Sequence, residues 1–301
     1  MEAEVIDVCV CTYRRSSLSA TLASIARQQL PEGVSIRVVV ADNDCSPARR
    51  DAILANAQEL GLTLTYVHAP ARNISIARNA CLDAAHSEWI AFIDDDEEAQ
   101  PDWVDALLRA RSGVEIVFGI SQARYSEAHC AEWLVLGDFH SNRVQGNDPT
   151  WNGYTANVLI NRAWVARHEV RFMHELGQIG GEDTMFFYRC HELGGRFGYA
   201  PMAIVFEDTP AKRASLGWLV RRRYRSGQIH SMILSQRGKG RAFSFATGLA
   251  KSTYCFLGAA AQFMSPVRRT ELFLRGAMHV GVVAGALGLS PYREYGDQQI
   301  G

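Results

Sequence analysis

The chain has 301 residues, a net charge of -1, 48% hydrophobic residues and 21% charged residues. These values predict one large globular domain or two smaller ones, and they exclude a disordered chain. Seven cysteines, an odd number without a C-x-x-C pair, favour a reduced compartment over a disulfide framework. The start of the chain is polar and then strand-like, so no signal peptide is predicted.

The charge is distributed unevenly along the chain. Ala211 to Arg275 contains thirteen Lys or Arg residues and one acid, Glu271, whereas the other residues carry eighteen bases and thirty-one acids. A basic C-terminal third indicates an anionic partner in that region.

Strand and helix patterns alternate in the first hundred residues. Runs rich in β-branched or apolar residues predict strands, and apolar residues at helical spacing predict helices. The predicted strands are Val5–Cys11, Ile36–Val40, Leu62–His68 and Trp89–Ile93, and the predicted helices are Ser17–Gln29, Asp51–Leu60 and Ile74–Ala85. This order predicts an α/β fold with a doubly wound, mostly parallel sheet flanked by helices.

The strand that contains Ile90–Ile93 is followed by five consecutive acids, Asp94–Glu98. Ligands of open α/β sheets bind where strands meet their loops, and hard carboxylate oxygens suit Mg²⁺ or Mn²⁺. The sequence therefore predicts a nucleotide-bound divalent ion at this strand end. The alternative is a solvated acidic loop.

Two other strand ends carry polar residues that could meet a nucleotide. They are the segments 12–15, which reads TYRR, and 42–44, which reads DND. An acid after the second strand is able to hydrogen-bond a ribose, although it could also form a turn or cap a helix. No G-x-G-x-x-G or G-x-x-x-x-G-K-[ST] motif occurs at either turn, which argues against dinucleotide-binding and P-loop proteins.

A further signal is Gly180-Gly181-Glu182-Asp183, which precedes the helical pattern Met185–Arg189. Two glycines permit a tight turn, and Gly194 is expected to end the helix. The acids could simply stabilise the helix N-terminus, or one carboxylate could act as a general base.

Taken in order, these segments resemble the inverting glycosyltransferases of family two, which have the GT-A fold. The resemblance runs from Val5 to Gln228 and is carried by VCVCTYRR, VVVADND, NISIARNACLDAA, WIAFIDDDEE, GYTANVLINR, GGEDTMFFYRCHELGG and RRRYRSGQ. Bacterial exopolysaccharide enzymes of the succinoglycan glucosyltransferase type are the most similar members. Each motif is weak alone, whereas their order and spacing are specific.

The resemblance implies a role for each matching residue. Nucleotide-sugar contacts are implied for Thr12, Tyr13, Arg15, Asp42, Arg78, Asp94 and Asp95, with uracil and ribose at Tyr13 and Asp42. Asp96 would ligate the metal, Asp183 would be the catalytic base, and Glu182 would contact the acceptor. Acceptor or diphosphate contacts are expected from Trp151, Arg222, Arg225 and Gln228, although Trp151 could equally be a core aromatic.

One position departs from the family pattern. Many relatives place a metal-ligating His after the strand that here reads Ile204-Val205-Phe206-Glu207-Asp208, and Phe206 cannot bind a metal. Either Glu207 or Asp208 substitutes, or the protein supplies only Asp96 and the diphosphate and water complete the shell.

The implied activity is a metal-dependent inverting transfer of a sugar, expected to be glucose, from a UDP-sugar to a lipid-linked oligosaccharide or polysaccharide acceptor in exopolysaccharide biosynthesis. Residues 1–98 would bind the nucleotide-sugar, and residues 99–236 would bind the acceptor within the same domain. No nucleic-acid partner is expected. A sugar nucleotidyltransferase and a catalytically silent membrane-bound nucleotide sensor are the alternatives.

Residues 237–301 differ in composition from the rest of the chain. Ala242 to Met264 and Leu272 to Leu289 are apolar stretches, and Lys251 lies near the middle of the first. A central Lys opposes membrane insertion by about 2.5 to 3.5 kcal/mol, so a helical extension lying at an anionic membrane surface is predicted. The expected location is the cytoplasmic face of the inner membrane, in a peripheral or interfacial position. The alternative is a helical pair packed on the core or on a second subunit.

Overall fold

The computed structural model describes residues 3–143 and 153–290. In the first hundred residues, strands and helices alternate in the predicted order. The elements are β1 (Glu4–Thr12), α1 (Leu18–Ala26), β2 (Val34–Asp42), α2 (Arg50–Glu59), β3 (Leu64–His68), α3 (Ile74–Ala84), β4 (Trp89–Asp94) and β5 (Glu97–Ala99). The predicted helices and strands are therefore confirmed, with small shifts at their ends.

The middle of the chain adds three further strands and several short helices. These elements are α4 (Trp103–Arg109), β6 (Ile116–Arg124), α5 (Glu132–Gly137), β7 (Asn157–Asn161), α6 (Arg162–Arg167), a 3-10 helix (His174–Leu176), α7 (Glu182–Glu192) and β8 (Phe197–Asp208). Gly194 has a φ of +84° immediately after α7, as expected for the residue that ends this helix.

The eight strands of the described residues form one sheet in the order β3-β2-β1-β4-β7-β6-β8-β5. Strand pairs β1–β2, β2–β3, β1–β4 and β6–β8 are parallel, whereas β4–β7, β6–β7 and β5–β8 are antiparallel. The sheet is therefore parallel from β3 to β4 and mixed beyond β4. The carboxyl ends of β1, β2 and β4 meet at one edge, since Thr12 pairs with Asp42 and Cys11 pairs with Asp94.

Alternating side chains of the central strands point to opposite faces of the sheet and fill two apolar layers. On one face, Cys9 and Phe92 pack with α3 and α7. On the other, Val8 and Ala91 pack with α1 and α4. All seven cysteines are free thiols, in line with the absence of a predicted disulfide framework.

The C-terminal extension consists of α8 (Leu216–Gln236), α9 (Arg241–Ala261) and α10 (Pro266–Ala286). Glycines permit very close helix packing there, because a Cβ added at Gly227 would lie 1.8 Å from the carbonyl oxygen of Met278. In residues 3–143 and 153–290, no helix has the length and apolar character required to cross a membrane.

Candidate active site

The acids after β4 line the sheet edge where β1, β2 and β4 end. Thr12 Oγ1 donates a 2.7 Å hydrogen bond to Asp95 Oδ2. Glu97 is buried, and its carboxylate accepts hydrogen bonds from the Ser121 hydroxyl and from the backbone N–H of Asp94. Because Asp95 and Glu97 are both buried, the segment is not a fully solvated acidic loop.

Three carboxyl groups of this cluster have higher pKa values than exposed Asp and Glu side chains do. Burial, together with the charge of Asp96, raises the pKa of Asp95 to about 7. Burial and the negative charge of Asp96 also raise the pKa of Asp94. Burial and the negative charge of Asp94 raise the pKa of Glu97. The cluster thus carries more negative charge than its surroundings neutralise, which favours a cation.

Glu207, near the end of strand β8, lies close to the same cluster of acids. Burial raises the pKa of Glu207, and the negative charges of Asp96 and Asp94 raise it further. The guanidinium of Arg213, in the loop after β8, donates to the Glu207 carboxylate. The side chain of Asp208 is largely exposed and lies 4.0 Å from Arg124. Of the two residues that could replace the family's His, Glu207 is therefore the one near the acids.

The donor set suits Mg²⁺ or Mn²⁺ but is incomplete by itself. All candidate ligands are carboxylate oxygens, the type these ions prefer. Arg15 Nη1 lies 3.4 Å from Asp96 Oδ2 and partly neutralises it. Among the residues that the structure describes, no three His, Cys, Asp or Glu side chains are grouped closely enough to hold a metal. The described residues therefore fit such an ion by the type of their oxygen atoms, although they do not supply a complete set of ligands.

Arg78 connects the acidic cluster to the start of α7. The side chain extends from α3, its Nη1 donates to Glu182 Oε1, and its Nη2 lies 3.8 Å from Asp94 Oδ1. Arg78 and Glu182 are each only 7% exposed. Burial by itself would lower the pKa of Arg78, but the neighbouring carboxylates of Glu182 and Asp94 raise it above its ordinary value. The charged Arg78 thus joins both acidic motifs.

Asp183 follows Glu182 in the first turn of α7. Gly180 and Gly181 have φ values of +87° and +89°, and a Cβ at Gly181 would lie 2.5 Å from the Ile229 side chain. Asp183 Oδ1 accepts a 2.7 Å hydrogen bond from the backbone N–H of Thr184. Burial and the charge of Glu182 raise the pKa of Asp183 to about 6, so it ionises near neutral pH and is suited to a general base.

The residues after β2 are held by several hydrogen bonds. Asp42 Oδ2 accepts a 2.8 Å bond from the Tyr66 hydroxyl, and Oδ1 accepts a 3.1 Å bond from the Asp44 N–H. Asp44 in turn binds both Nε and Nη2 of Arg14, at 2.7 and 3.0 Å. The exposed ring of Tyr13 lies 5.4 Å from the Arg14 guanidinium. The Arg72 guanidinium lies 5.9 Å from the same ring, so two cations lie against Tyr13.

The residues expected to contact the acceptor or diphosphate do not all lie together. Arg222 Nη2 donates a 2.8 Å hydrogen bond to Asn142 Oδ1, and its charge acts on Glu207. Arg225 lies over Gly180, next to α7. Gln228 is buried and donates to the carbonyl of Ser290 at 3.2 Å, so the structure places it in the packing with α10. Trp151 lies outside the described residues.

The sequence did not indicate three of the side chains that build this site. Glu97 belongs to the acidic run, but only pairing of β5 with β8 buries it. Arg213 lies in the basic third of the chain, five residues after the end of β8, and its positive charge was the available signal. Tyr66 lies on β3, where an alternating strand pattern gives no indication that its hydroxyl binds Asp42.

The sequence matches a family model and a relative of nearly the same length. The profile of the family Glycosyl transferase family 2 matches residues 7–164. The chain is 41% identical to the succinoglycan biosynthesis protein ExoM of Rhizobium meliloti, over 98% of this chain and 97% of that protein.

Two solved structures share the fold at low identity. The mannosyltransferase PcManGT from Pyrobaculum calidifontis, in complex with GDP-Man and Mn²⁺, superposes with a TM-score of 0.63 at 18% identity, covering 94% of this chain and 86% of that chain. S. aureus TarS 1-349 in complex with UDP gives 0.52 at 14% identity, covering 94% and 91%. These two likenesses show the mixed α/β fold with flanking helices.

Proposed function

Because the chain belongs to glycosyltransferase family 2, we propose that it transfers a sugar with inversion from a UDP-sugar to a lipid-linked glycan, with a divalent ion at the acidic sheet edge. The observation that carries the proposal is the contact of Arg78 with both Asp94 and Glu182, because the acids proposed to face the donor then lie near the proposed base, Asp183. Because the chain belongs to a family of glycosyltransferases, the alternative of a sugar nucleotidyltransferase is excluded.

The donor site is proposed at the ends of β1 and β2. The exposed ring of Tyr13 would stack on uracil, and the fixed carboxylate of Asp42 would bind the ribose. One fold neighbour, S. aureus TarS 1-349, is a complex with UDP, which supports this class of donor. The fixed geometry of Asp42 means that little side-chain freedom is lost when the nucleotide binds.

Asp96 is proposed to hold the divalent ion, with Glu207 as the second acidic contact. When bound, Mg²⁺ or Mn²⁺ would neutralise the charge that develops on the departing UDP. Another fold neighbour, the mannosyltransferase PcManGT, is a complex with GDP-Man and Mn²⁺, which supports a metal of this type. Arg15 and Arg213 already lie against the acids, so they would bind diphosphate oxygens and stabilise the same charge.

Asp183 is proposed as the general base. Its raised pKa suits removal of a proton from the acceptor hydroxyl, whose oxygen would attack the anomeric carbon from the face opposite UDP. Inversion of configuration follows from that direction of attack. Oε1 of Glu182 is bound to Arg78, and Oε2 is sealed from solvent without a hydrogen-bond partner within the described part of the chain. We therefore propose that Glu182 positions Arg78 and not the acceptor.

The acceptor class is proposed from the relative and from the C-terminal extension. A full-length match at 41% identity to a succinoglycan biosynthesis protein supports a growing exopolysaccharide unit, with glucose as the proposed sugar. A lipid-linked acceptor would require the enzyme to work at a membrane surface. Free thiols and a nucleotide-sugar donor favour the cytoplasmic face of the inner membrane, in a peripheral position.

The test is transfer from a panel of radiolabelled UDP-sugars and GDP-mannose to lipid extracts, with and without Mn²⁺. The proposal expects Mn²⁺-dependent label in the lipid fraction from one UDP-sugar, with an inverted anomeric linkage. Transfer from GDP-mannose alone would overturn the donor class. Tight UDP binding without any transfer to lipid would instead favour the silent nucleotide sensor.

A further inference from the structure

Helix α9 has its large apolar side chains on the outside. The side chains that face the rest of the protein are small, namely Ser244, Gly248, Ser252, Cys255 and Ala259. Tyr254 and Leu257, by contrast, are 75% and 68% exposed, and Phe243 and Leu249 are about half exposed. This is the reverse of the pattern that a helix adopts between a core and water.

The small inward residues are explained by close packing on α10. A Cβ at Gly248 would lie 3.0 Å from the Val283 side chain, and a Cβ at Gly276 of α10 would lie 2.6 Å from the Phe256 ring. The two helices therefore pack nearly backbone to backbone. The outward residues have no such role in the fold, so their apolar character requires another explanation.

The outward surface is continuous along the helix. At 1.5 Å per residue, the 21 residues of α9 are about 31 Å long. Phe243 lies near one end, and the exposed Phe263 and Met264 follow the other. Exposed apolar patches of this extent in a folded protein indicate an interaction surface.

The charges beside this surface are almost all positive. From Arg237 to Ser290 the chain contains seven basic residues and one acid, Glu271. Lys239, Arg241, Lys251, Arg268, Arg269 and Arg275 are all exposed. At 100° per residue, Lys251 lies about 120° around α9 from Leu257, at the flank of the apolar face. The apolar face is thus uncharged and has cations beside it.

An open groove between α9 and α10 has the same combination of properties. It is lined by Phe256, Ala259, Ala260 and Phe273, with Arg269 beside them. The rings of Phe256 and Phe273 are 5.4 Å apart. Apolar walls next to a guanidinium suit an acyl chain whose phosphate head group lies nearby.

We propose that α9 lies in the plane of an anionic lipid leaflet, with Phe243, Leu249, Tyr254 and Leu257 among the acyl chains and the flanking cations at lipid phosphates. This inference rests on the membrane attachment in the proposed function and names the face that makes it. A second copy of the chain is a poorer partner, because pairing two such surfaces would bring together basic groups without acids to neutralise them.

The experiment compares two substitutions of equally exposed residues in the full chain. Leu257→Asn changes the proposed lipid face, and Met202→Gln changes β8, where Met202 is 62% exposed. Flotation with phosphatidylcholine vesicles containing phosphatidylglycerol should show about a tenfold loss of binding for Leu257→Asn and no loss for Met202→Gln. Because neither side chain is buried, both variants should keep the parent's melting temperature.

A second pair of measurements tests the charges. The Arg268→Gln/Arg269→Gln variant should lose binding to anionic vesicles at low salt, while its binding to pure phosphatidylcholine stays the same. Equal flotation of the Leu257→Asn and Met202→Gln variants would overturn the inference. A parent that fails to float but sediments as a dimer, which Leu257→Asn dissociates, would assign the face to a second copy instead. UDP affinity by calorimetry, measured on the same samples, reports separately on the proposed donor site.

Discussion

Arg78 and Glu182 form a buried ion pair although they are 104 residues apart in the chain. The pair fixes the first turn of α7 against α3, and Arg78 also reaches Asp94 at the end of β4. Any change in the position of Arg78 would therefore displace both the donor-side acids and the turn that carries Asp183.

We first expect Glu182→Ala to destabilise the protein by about 3 kcal/mol, because it leaves the buried Arg78 charge without its nearest carboxylate. Urea denaturation followed by circular dichroism measures this. Asp83→Ala is the control, since it breaks the ion pair between the exposed Asp83 and the exposed Arg171 and should cost less than about 1 kcal/mol. Equal losses in the two variants would show that the buried pair has no special structural role.

The second prediction concerns the metal. Asp96→Asn should weaken Mn²⁺-dependent UDP binding at least tenfold, while UDP binding in EDTA stays unchanged, because only the ion-mediated part of the affinity is removed. Calorimetry with and without Mn²⁺ measures both quantities. The control is Asp208→Asn, whose largely exposed side chain lies beside Arg124. Unaltered Mn²⁺ dependence in the Asp96 variant would place the ion elsewhere.

The third prediction separates chemistry from binding at Asp183. Asp183→Asn should reduce kcat by about 10² to 10⁴ while donor affinity changes little, because a general base acts in the transition state. In the parent, kcat/KM for the acceptor should fall as pH decreases through about 6, since protonation of Asp183 removes the base. A pH profile that is flat between pH 5 and 8 would contradict the assignment.

The fourth prediction follows from the raised pKa of Asp95. A carboxyl with a folded-state pKa of about 7 stabilises the fold when protonated, and this contribution is lost as pH rises toward 7. Asp95→Asn should therefore increase the melting temperature of the nucleotide-free protein, with a gain that grows from pH 5 to pH 8. Asp51→Asn, at a side chain that is 94% exposed, should show no such trend. A loss of stability at pH 8 would refute the prediction.

The fifth prediction uses two glycines of α8. Gly227→Ala would place a methyl group 1.8 Å from the Met278 carbonyl oxygen, so α8 and α10 must separate and the melting temperature should fall by several degrees. Gly217→Ala, where the nearest atom is the flexible Arg221 Nη1 at 3.6 Å, should be neutral or stabilising by up to about 1 kcal/mol. Differential scanning fluorimetry compares the two. Equal melting temperatures would mean that the helices adjust without cost.

The local pattern of the sequence determined the alternating strands and helices, the position of the acids after β4, and the turn at Gly180 and Gly181. Strand and helix periodicity depend on which residues face a core, and that information is contained in neighbouring positions. The ordered motifs also identified the family. Donor, base and metal roles remain predictions, although the structure brings Asp94, Asp96 and Asp183 to one edge of the sheet.

Only the tertiary structure decided which polar groups are paired. The partners of Arg78 and Asp42 are Glu182 and Tyr66, which lie on other elements, and contacts across such separations depend on how the elements pack. It also placed Gln228 against the end of α10. The apolar stretch at Ala242 to Met264 could be read as a core helix from its sequence. Because α9 packs its small residues inward, the fold leaves its large apolar side chains outside.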